Sequence, residues 1–269
     1  MARHEIGDLG VRRFGLVNWL GLYTLCWRET RRFLAVWTQT LLAPLITAGL
    51  FLLIFSLAVG TRRGDVMGVP FVHFLAPGIL MMTVIQNSFA NVSSSIVISK
   101  VQGNIVDTLM PPLSAGELMV GYLAGGILRG ALVAVSVSLL LFPMIGLGVA
   151  HPLLGLLYVV LGGAFLGALG VIAGVFANKF DQMAAITNFI VMPLSFLSGT
   201  FYSLDSLPPV MQALSHANPV FYLIDGVRFA TLGVSDSSPL LGLGVILVAL
   251  AAVTSLGWWM FRTGYRLKA

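Results

Sequence analysis

Thr83, Asn87, Asn91 and Ser94 recur at helical spacing on one face of an apolar stretch whose other face carries Met81, Ile85, Phe89, Val92 and Ile96. Carboxamides and hydroxyls persist in a hydrophobic helix when they bond to a neighbouring helix or line a wet cavity. The chemistry open to them is recognition and passage of a polar group rather than bond cleavage. A buried seam between helices and a translocation path both fit the pattern.

Reactive constellations are missing. His4, His73, His151 and His216 are scattered without a metal-binding partner at helical spacing, and no serine sits in G-x-S-x-G. The chain has one cysteine, Cys26, which rules out an intrachain disulfide or a thiolate cluster. No G-x-x-x-x-G-K-[ST] phosphate loop occurs. The chain is therefore not expected to be an enzyme or to hold a cofactor of its own. Glu117 and the aspartates fall at borders or in loops, so the intramembrane acids of proton- or sodium-coupled carriers are not in view. Arg129 is the one cation that falls inside an apolar run, and it is expected to snorkel to inner headgroups or to pair with Glu117 or Asp107. Asp225 and Arg228, three residues apart, read as an ion pair at a surface or as a latch.

The elements that must position these residues follow from composition. Of 269 residues 58% are hydrophobic and 9% charged, too few polar groups to wrap a water-soluble globule. The solvent is lipid, and without the alternating ten-residue segments of a barrel the fold class is an all-α polytopic membrane protein. Six transmembrane helices are predicted at Leu34 to Val59, Phe71 to Ser95, Glu117 to Ile145, Leu153 to Ala177, Ala184 to Leu204 and Leu240 to Arg262. They form a single domain over residues 34–262, preceded by a segment 1–33 and followed by a tail 263–269.

The first fifteen residues hold Arg3, Arg12 and Arg13 without the apolar core of a removable signal. With Arg28, Arg31, Arg32, Lys100, Lys179, Arg262, Arg266 and Lys268 they place both termini in the cytoplasm, against Arg62, Arg63 and Arg228 outside. From Leu16 to Phe33 an interfacial amphipathic helix is predicted. Leu16, Trp19, Leu20, Tyr23 and Trp27 would enter the acyl boundary while Arg28 and Arg32 face phosphates.

Two connections are longer than packed helices need. The cytoplasmic segment 100–116, KVQGNIVDTLMPPLSAG, predicts a short helix from Asn104 to Met110 stopped by Pro111 and Pro112. The outer segment 205–238 predicts two short helices capped by Ser206 and Asn218, apolar enough to re-enter the outer leaflet. Glycine stripes at Gly121, Gly125, Gly126 and Gly130, and at Gly163, Gly167, Gly170 and Gly174, read as close helix packing.

Distinctive stretches are Arg31-Arg32-Phe33 with Val36-Trp37-Thr38-Gln39-Thr40 and Pro44, then Phe74-Leu75-Ala76-Pro77-Gly78 and Asn87-Ser88-Phe89-Ala90-Asn91-Val92. Phe196-Leu197-Ser198-Gly199-Thr200-Phe201-Tyr202, Leu207-Pro208, Asn218-Pro219-Val220-Phe221-Tyr222 and Arg228 extend them over nearly the whole chain. Together they resemble the type-2 ATP-binding-cassette exporter permeases, which include drug, lipo-oligosaccharide and polysaccharide export subunits.

The resemblance implies a homodimer in the bacterial inner membrane docked to two copies of an ABC ATPase, which would bind the ATP and magnesium. Lipid would surround the pair, and no nucleic acid is expected. Gly103, Asn104, Asp107, Met110, Pro111 and Pro112 would form the coupling helix, with the Trp19 to Arg32 helix beside it. Asn87, Asn91, Ser94, Ser195 and Ser198 would line the path, with Phe201 and Tyr202 near its outer exit. The implied cargo is a drug-like or lipid-linked amphiphile moved outward. A polysaccharide or lipo-oligosaccharide is the alternative, and an energy-independent channel or carrier a further one.

Overall fold

The protein is described by a computed structural model covering residues 15–60 and 64–267. Arg3, His4, Arg12, Arg13, Arg62, Arg63 and Lys268, on which the charge count partly rests, lie outside the described residues. The described residues form helices, with one isolated bridge between Val66 and Val69 in the loop after the first span.

Helix α1, Trp19–Leu34, opens at Asn18, whose side chain accepts from the Gly21 amide at 3.0 Å. Trp19, Leu20, Tyr23 and Trp27 are exposed along it, as an interfacial helix requires. Its other face, Leu25, Glu29 and Phe33, is buried. Arg28 and Arg32, expected to face phosphates, are partly exposed and both turn to Glu29, which offers a full charge at close range.

The chain then enters the first span, Thr38–Ala58. Its core is α2, Ala43–Phe55, flanked by π-helical turns at Thr38–Leu42 and Ser56–Gly60. The Thr40 hydroxyl donates to the Phe33 carbonyl at 2.9 Å and ties this junction to α1.

Helix α3, Phe71–Val101, and the later α6, Pro152–Phe176, are the innermost spans. Between them come the short α4, Ile105–Leu109, and α5, Ala115–Ile145. A capping box starts α5: the Ser114 hydroxyl accepts from the Glu117 amide while the Glu117 carboxylate accepts from the Ser114 amide. The last span is α11, Pro239–Thr263. The α6 glycines seat it against α3, for a Cβ on Gly170 would come within 2.8 Å of the Phe89 carbonyl oxygen.

Among the described residues five helices are long and apolar enough to cross a membrane, not six. The expected span Ala184 to Leu204 is instead α7, Phe180–Ile186, a π-helical turn Thr187–Val191, and α8, Met192–Phe196. This run is about 25 Å long, short of the roughly 30 Å of hydrocarbon. Pro193 withholds an amide, and Gly199, at φ +73°, turns the chain away. The run begins near Ala177, whose carbonyl accepts from Lys100 Nζ at 2.9 Å, and leads to Thr200, packed on Gly78 near the other end of α3.

Beyond it lie a 3-10 turn at Leu204–Ser206, then α9, Pro209–Ala217, and α10, Pro219–Leu232. Asn218 caps α10, accepting from the Val220 amide at 3.0 Å. Ser206 caps nothing: its hydroxyl is turned back to the Ser203 carbonyl, and α9 begins after Pro208. The two short helices also differ in setting. Val210, Met211 and Leu214 of α9 are exposed, whereas Val220, Phe221, Leu223 and Ile224 of α10 are buried against α3, α6 and α11.

Candidate functional site

Glu29 stands at the centre of the densest polar network near the α4 end of the molecule. It is fully buried, and its carboxylate takes Arg28 Nη2 at 2.9 Å, Arg32 Nη2 at 3.2 Å and the Ser95 hydroxyl at 2.9 Å. Gly121 and Gly125 of α5 provide the notch in which Leu25 and Glu29 sit, since a Cβ on Gly125 would lie 2.6 Å from that of Glu29. Arg28 reaches onward, donating to the Thr108 hydroxyl of α4 at 2.8 Å. Arg32 donates to the Asn91 carbonyl at 2.6 Å, to Asn91 Oδ1 at 2.9 Å and to the Ser94 hydroxyl at 3.3 Å. Burial opposes the charge of Arg28, but Tyr122 and Glu29 outweigh it and hold its pKa above the ordinary value.

Sequence reasoning missed Glu29. The available signal was its place four residues after Leu25 and four before Phe33, on the apolar line of α1 rather than its charged side.

Helix α4 is two-faced. Ile105 and Thr108 are buried, while Asn104, Val106, Asp107 and Met110 are exposed beside the exposed Pro111 and Pro112. Gly103 reverses the chain at φ +74° to present it. The surface opposite Thr108 is thus free for another molecule.

The row of polar residues on α3 is brought together but not left empty. Asn91 and Ser94 are engaged by Arg32, and Asn87 Oδ1 accepts from Arg129 Nη2 at 2.9 Å. Arg129 pairs with neither Glu117 nor Asp107, and both lie too near the end of the bundle to be reached from the middle of α5. Ser195 and Ser198 are buried and spend their hydroxyls on the Val191 and Ser195 carbonyls of their own turn. Phe201 stacks on Phe55 at 5.0 Å and on Phe196 at 5.8 Å, while the Tyr202 hydroxyl donates to the Phe196 carbonyl at 3.1 Å. These four therefore form a separate cluster joining the first span to the end of α8.

A second charged cluster surrounds Arg228, which is fully buried rather than on a surface. Its Nη2 donates to the Gly199 carbonyl at 2.6 Å, its Nη1 lies 3.3 Å from Asp236 and 3.7 Å from Asp225, and its guanidinium covers the Phe74 ring at 3.9 Å. Asp225 in turn accepts from the Asp236 amide at 2.8 Å and the Ser237 amide at 3.0 Å. Burial pushes the Asp236 carboxyl above the usual range, with Arg228 acting in the opposite sense. The cluster clamps the turn at Gly199 and the loop before α11 onto α3.

Phe74 and Asn91 both belong to α3, so the two networks lie about 25 Å apart on one rigid helix. Thr108 of α4 is joined to α3 through Arg28, Glu29 and Ser95. The arrangement can transmit movement and bind polar groups.

Residues 21–232 match the family model described as ABC-2 type transporter. The chain is 36% identical to the inner membrane transport permease YadH of Escherichia coli (strain K12) over 251 residues, covering 93% of this chain and 98% of that protein. It is 26% identical to nodulation protein J of Rhizobium leguminosarum bv. viciae over 243 residues, covering 87% and 90%. The same degree of identity, over 222 residues, relates it to nodulation protein J of Sinorhizobium fredii (strain NBRC 101917 / NGR234).

Proposed function

The chain belongs to the ABC-2 type transporter family, as a membrane permease subunit of an ABC transporter, and on that premise we propose that it drives export of an amphiphile. In this reading two copies pair in a bacterial inner membrane with both termini in the cytoplasm. Each docks one copy of a separate ATPase subunit, which binds ATP and magnesium. The run Phe180–Phe196 counts as the sixth crossing, completed by the turn that follows it. The cargo is a drug-like or lipid-linked molecule passing from the inner to the outer face.

The observation that carries this reading is the link from α4 to α3. Thr108 on the buried side of α4 binds Arg28, Arg28 binds Glu29, and Glu29 binds Ser95. The exposed side of α4, with Val106, Asp107 and Met110, is the ATPase contact, so closure of the ATPases pulls on α3 through a chain of charge-assisted bonds. Asn87, Asn91 and Ser94 lie along the part of α3 that then moves, and Phe201 and Tyr202 stand near the outer exit.

The test is co-purification of the tagged chain in mild detergent followed by reconstitution of the complex. A stoichiometric, vanadate-sensitive ATPase partner and ATP-dependent movement of an amphiphile are expected. Passage that needs no ATPase would make the chain a channel, and no passage under any condition would make it a scaffold.

A further inference from the structure

Arg129 sits in the middle of α5, about 21 Å from one end of the helix and about 24 Å from the other. Asn87, its partner, is equally central in α3. No side chain reaches a headgroup from there, and a lone guanidinium at that depth is expensive unless something meets it. Among the described residues no carboxylate does. One bond to Asn87 Oδ1 is its hydrogen-bonding share, its Nε is buried without a partner, and its electrostatic neighbour is another cation, Arg32. The same stretch of α3 holds two more buried polar atoms without partners, Asn91 Nδ2 and Ser88 Oγ, on side chains that are completely buried. Arg28, Arg32 and Arg129 against Glu29 leave a net charge of +2 around this seam. Arg129 and Asn87 remain half-buried, so a ligand can approach them; Arg228 also has a buried Nε without a partner, but it is sealed in and its charge is met by two aspartates.

We infer that Arg129 and Asn87 form a mid-membrane binding site for the anionic group, of phosphate or carboxylate type, of the amphiphile that the protein moves. The inference rests on the exporter reading for the word cargo. Resident lipids hold their headgroups at the edges of about 30 Å of hydrocarbon, so an anion arrives at this depth only with a molecule in transit. The Asn87 carboxamide beside the guanidinium spends one Nδ2 hydrogen on the Thr83 carbonyl at 3.0 Å and keeps the other as a donor for a second oxygen of such a group.

The complex of this chain with its ATPase, in phosphatidylcholine nanodiscs without ATP, is titrated with dodecyl phosphate below its micellar concentration, alongside dodecyl maltoside and inorganic phosphate. Dodecyl phosphate should bind, Arg129→Gln should weaken it at least tenfold, Arg129→Lys should weaken it less, and dodecyl maltoside should respond equally in all three. Asn87→Ala carries the same expectation of weakening should Arg129→Gln fail to assemble. Unchanged affinity in the assembled variants overturns the site. Equal binding of inorganic phosphate, or loss of dodecyl phosphate binding in nanodiscs containing phosphatidylglycerol, overturns the assignment to cargo in favour of a free anion or a bilayer lipid. ATP-driven movement is read separately: binding as expected with no movement refutes the exporter reading and upholds the site, whereas movement with binding indifferent to Arg129 does the reverse.

Discussion

The Ser95 hydroxyl donates to Glu29 at 2.9 Å, joining the interior of α3 to a helix whose opposite face, with Trp19, Tyr23 and Trp27, is exposed. This bond and the two arginine contacts satisfy a carboxylate with no access to solvent, so the position of α1 on the bundle is set by charge as well as by packing.

Glu29→Gln should keep the shape and remove the charge. Arg28 and Arg32 are partly solvated, so the loss in stability is expected to be about 1.5–3 kcal/mol, the range for bonds to charged groups. ATP hydrolysis by the complex should continue while amphiphile transported per ATP falls, measured in proteoliposomes. Transport at the wild-type ratio would remove Glu29 from the coupling route.

Asp107→Arg changes an exposed position on α4, away from Thr108. The thermal midpoint of the isolated chain should hold, since surface changes of this kind cost within about 0.5 kcal/mol. Capture of the ATPase subunit, or the stimulation of its hydrolysis, should drop. A lower midpoint with normal capture would make this loop structural.

Arg228→Leu should be far more damaging to the fold. It strands Asp225 and Asp236 at a buried position and frees the Gly199 carbonyl, a class of change that costs about 3–5 kcal/mol. Arg228→Lys should recover only part of it, because an ammonium cannot both bridge these groups and lie flat on Phe74. Detergent-solubilised thermal unfolding of the two variants gives the comparison, and equal midpoints to wild type would show that the clamp is not needed.

Gly170→Leu should disrupt the α3–α6 contact by driving a side chain into the Phe89 carbonyl, at a cost of about 1–3 kcal/mol or more for overpacking. Gly244→Leu on α11, where a Cβ meets nothing, is the matched control. Similar unfolding midpoints for the two would mean that α6 shifts to accommodate the larger residue.

Much of this was legible in advance for a simple reason: lipid enforces long apolar helices, and their lengths and proline or glycine borders are local properties. Phe71, Ile145 and the cap at Asn218 fell where the chain alone placed them. The bounds Ala184 to Leu204 were not legible in the same way, because an apolar run does not reveal where its backbone bends, and Pro193 and Gly199 divide it. Ser206 misled because a hydroxyl before prolines caps a helix only when its backbone geometry allows, and here Ser203 offered a nearer acceptor.

By itself the sequence determined the solvent, the helical class, the family and the short helix ahead of Pro111 and Pro112, since each depends on composition, period or residues close in the chain. Only the tertiary structure decided which charges are interior. Glu29 finds Ser95 across 66 residues, Arg228 finds Gly199 across 29, and Arg129 finds Asn87 but, among the described residues, no acid. Whether a buried charge is neutralised depends on partners brought close by folding, and no spacing along the chain encodes that distance.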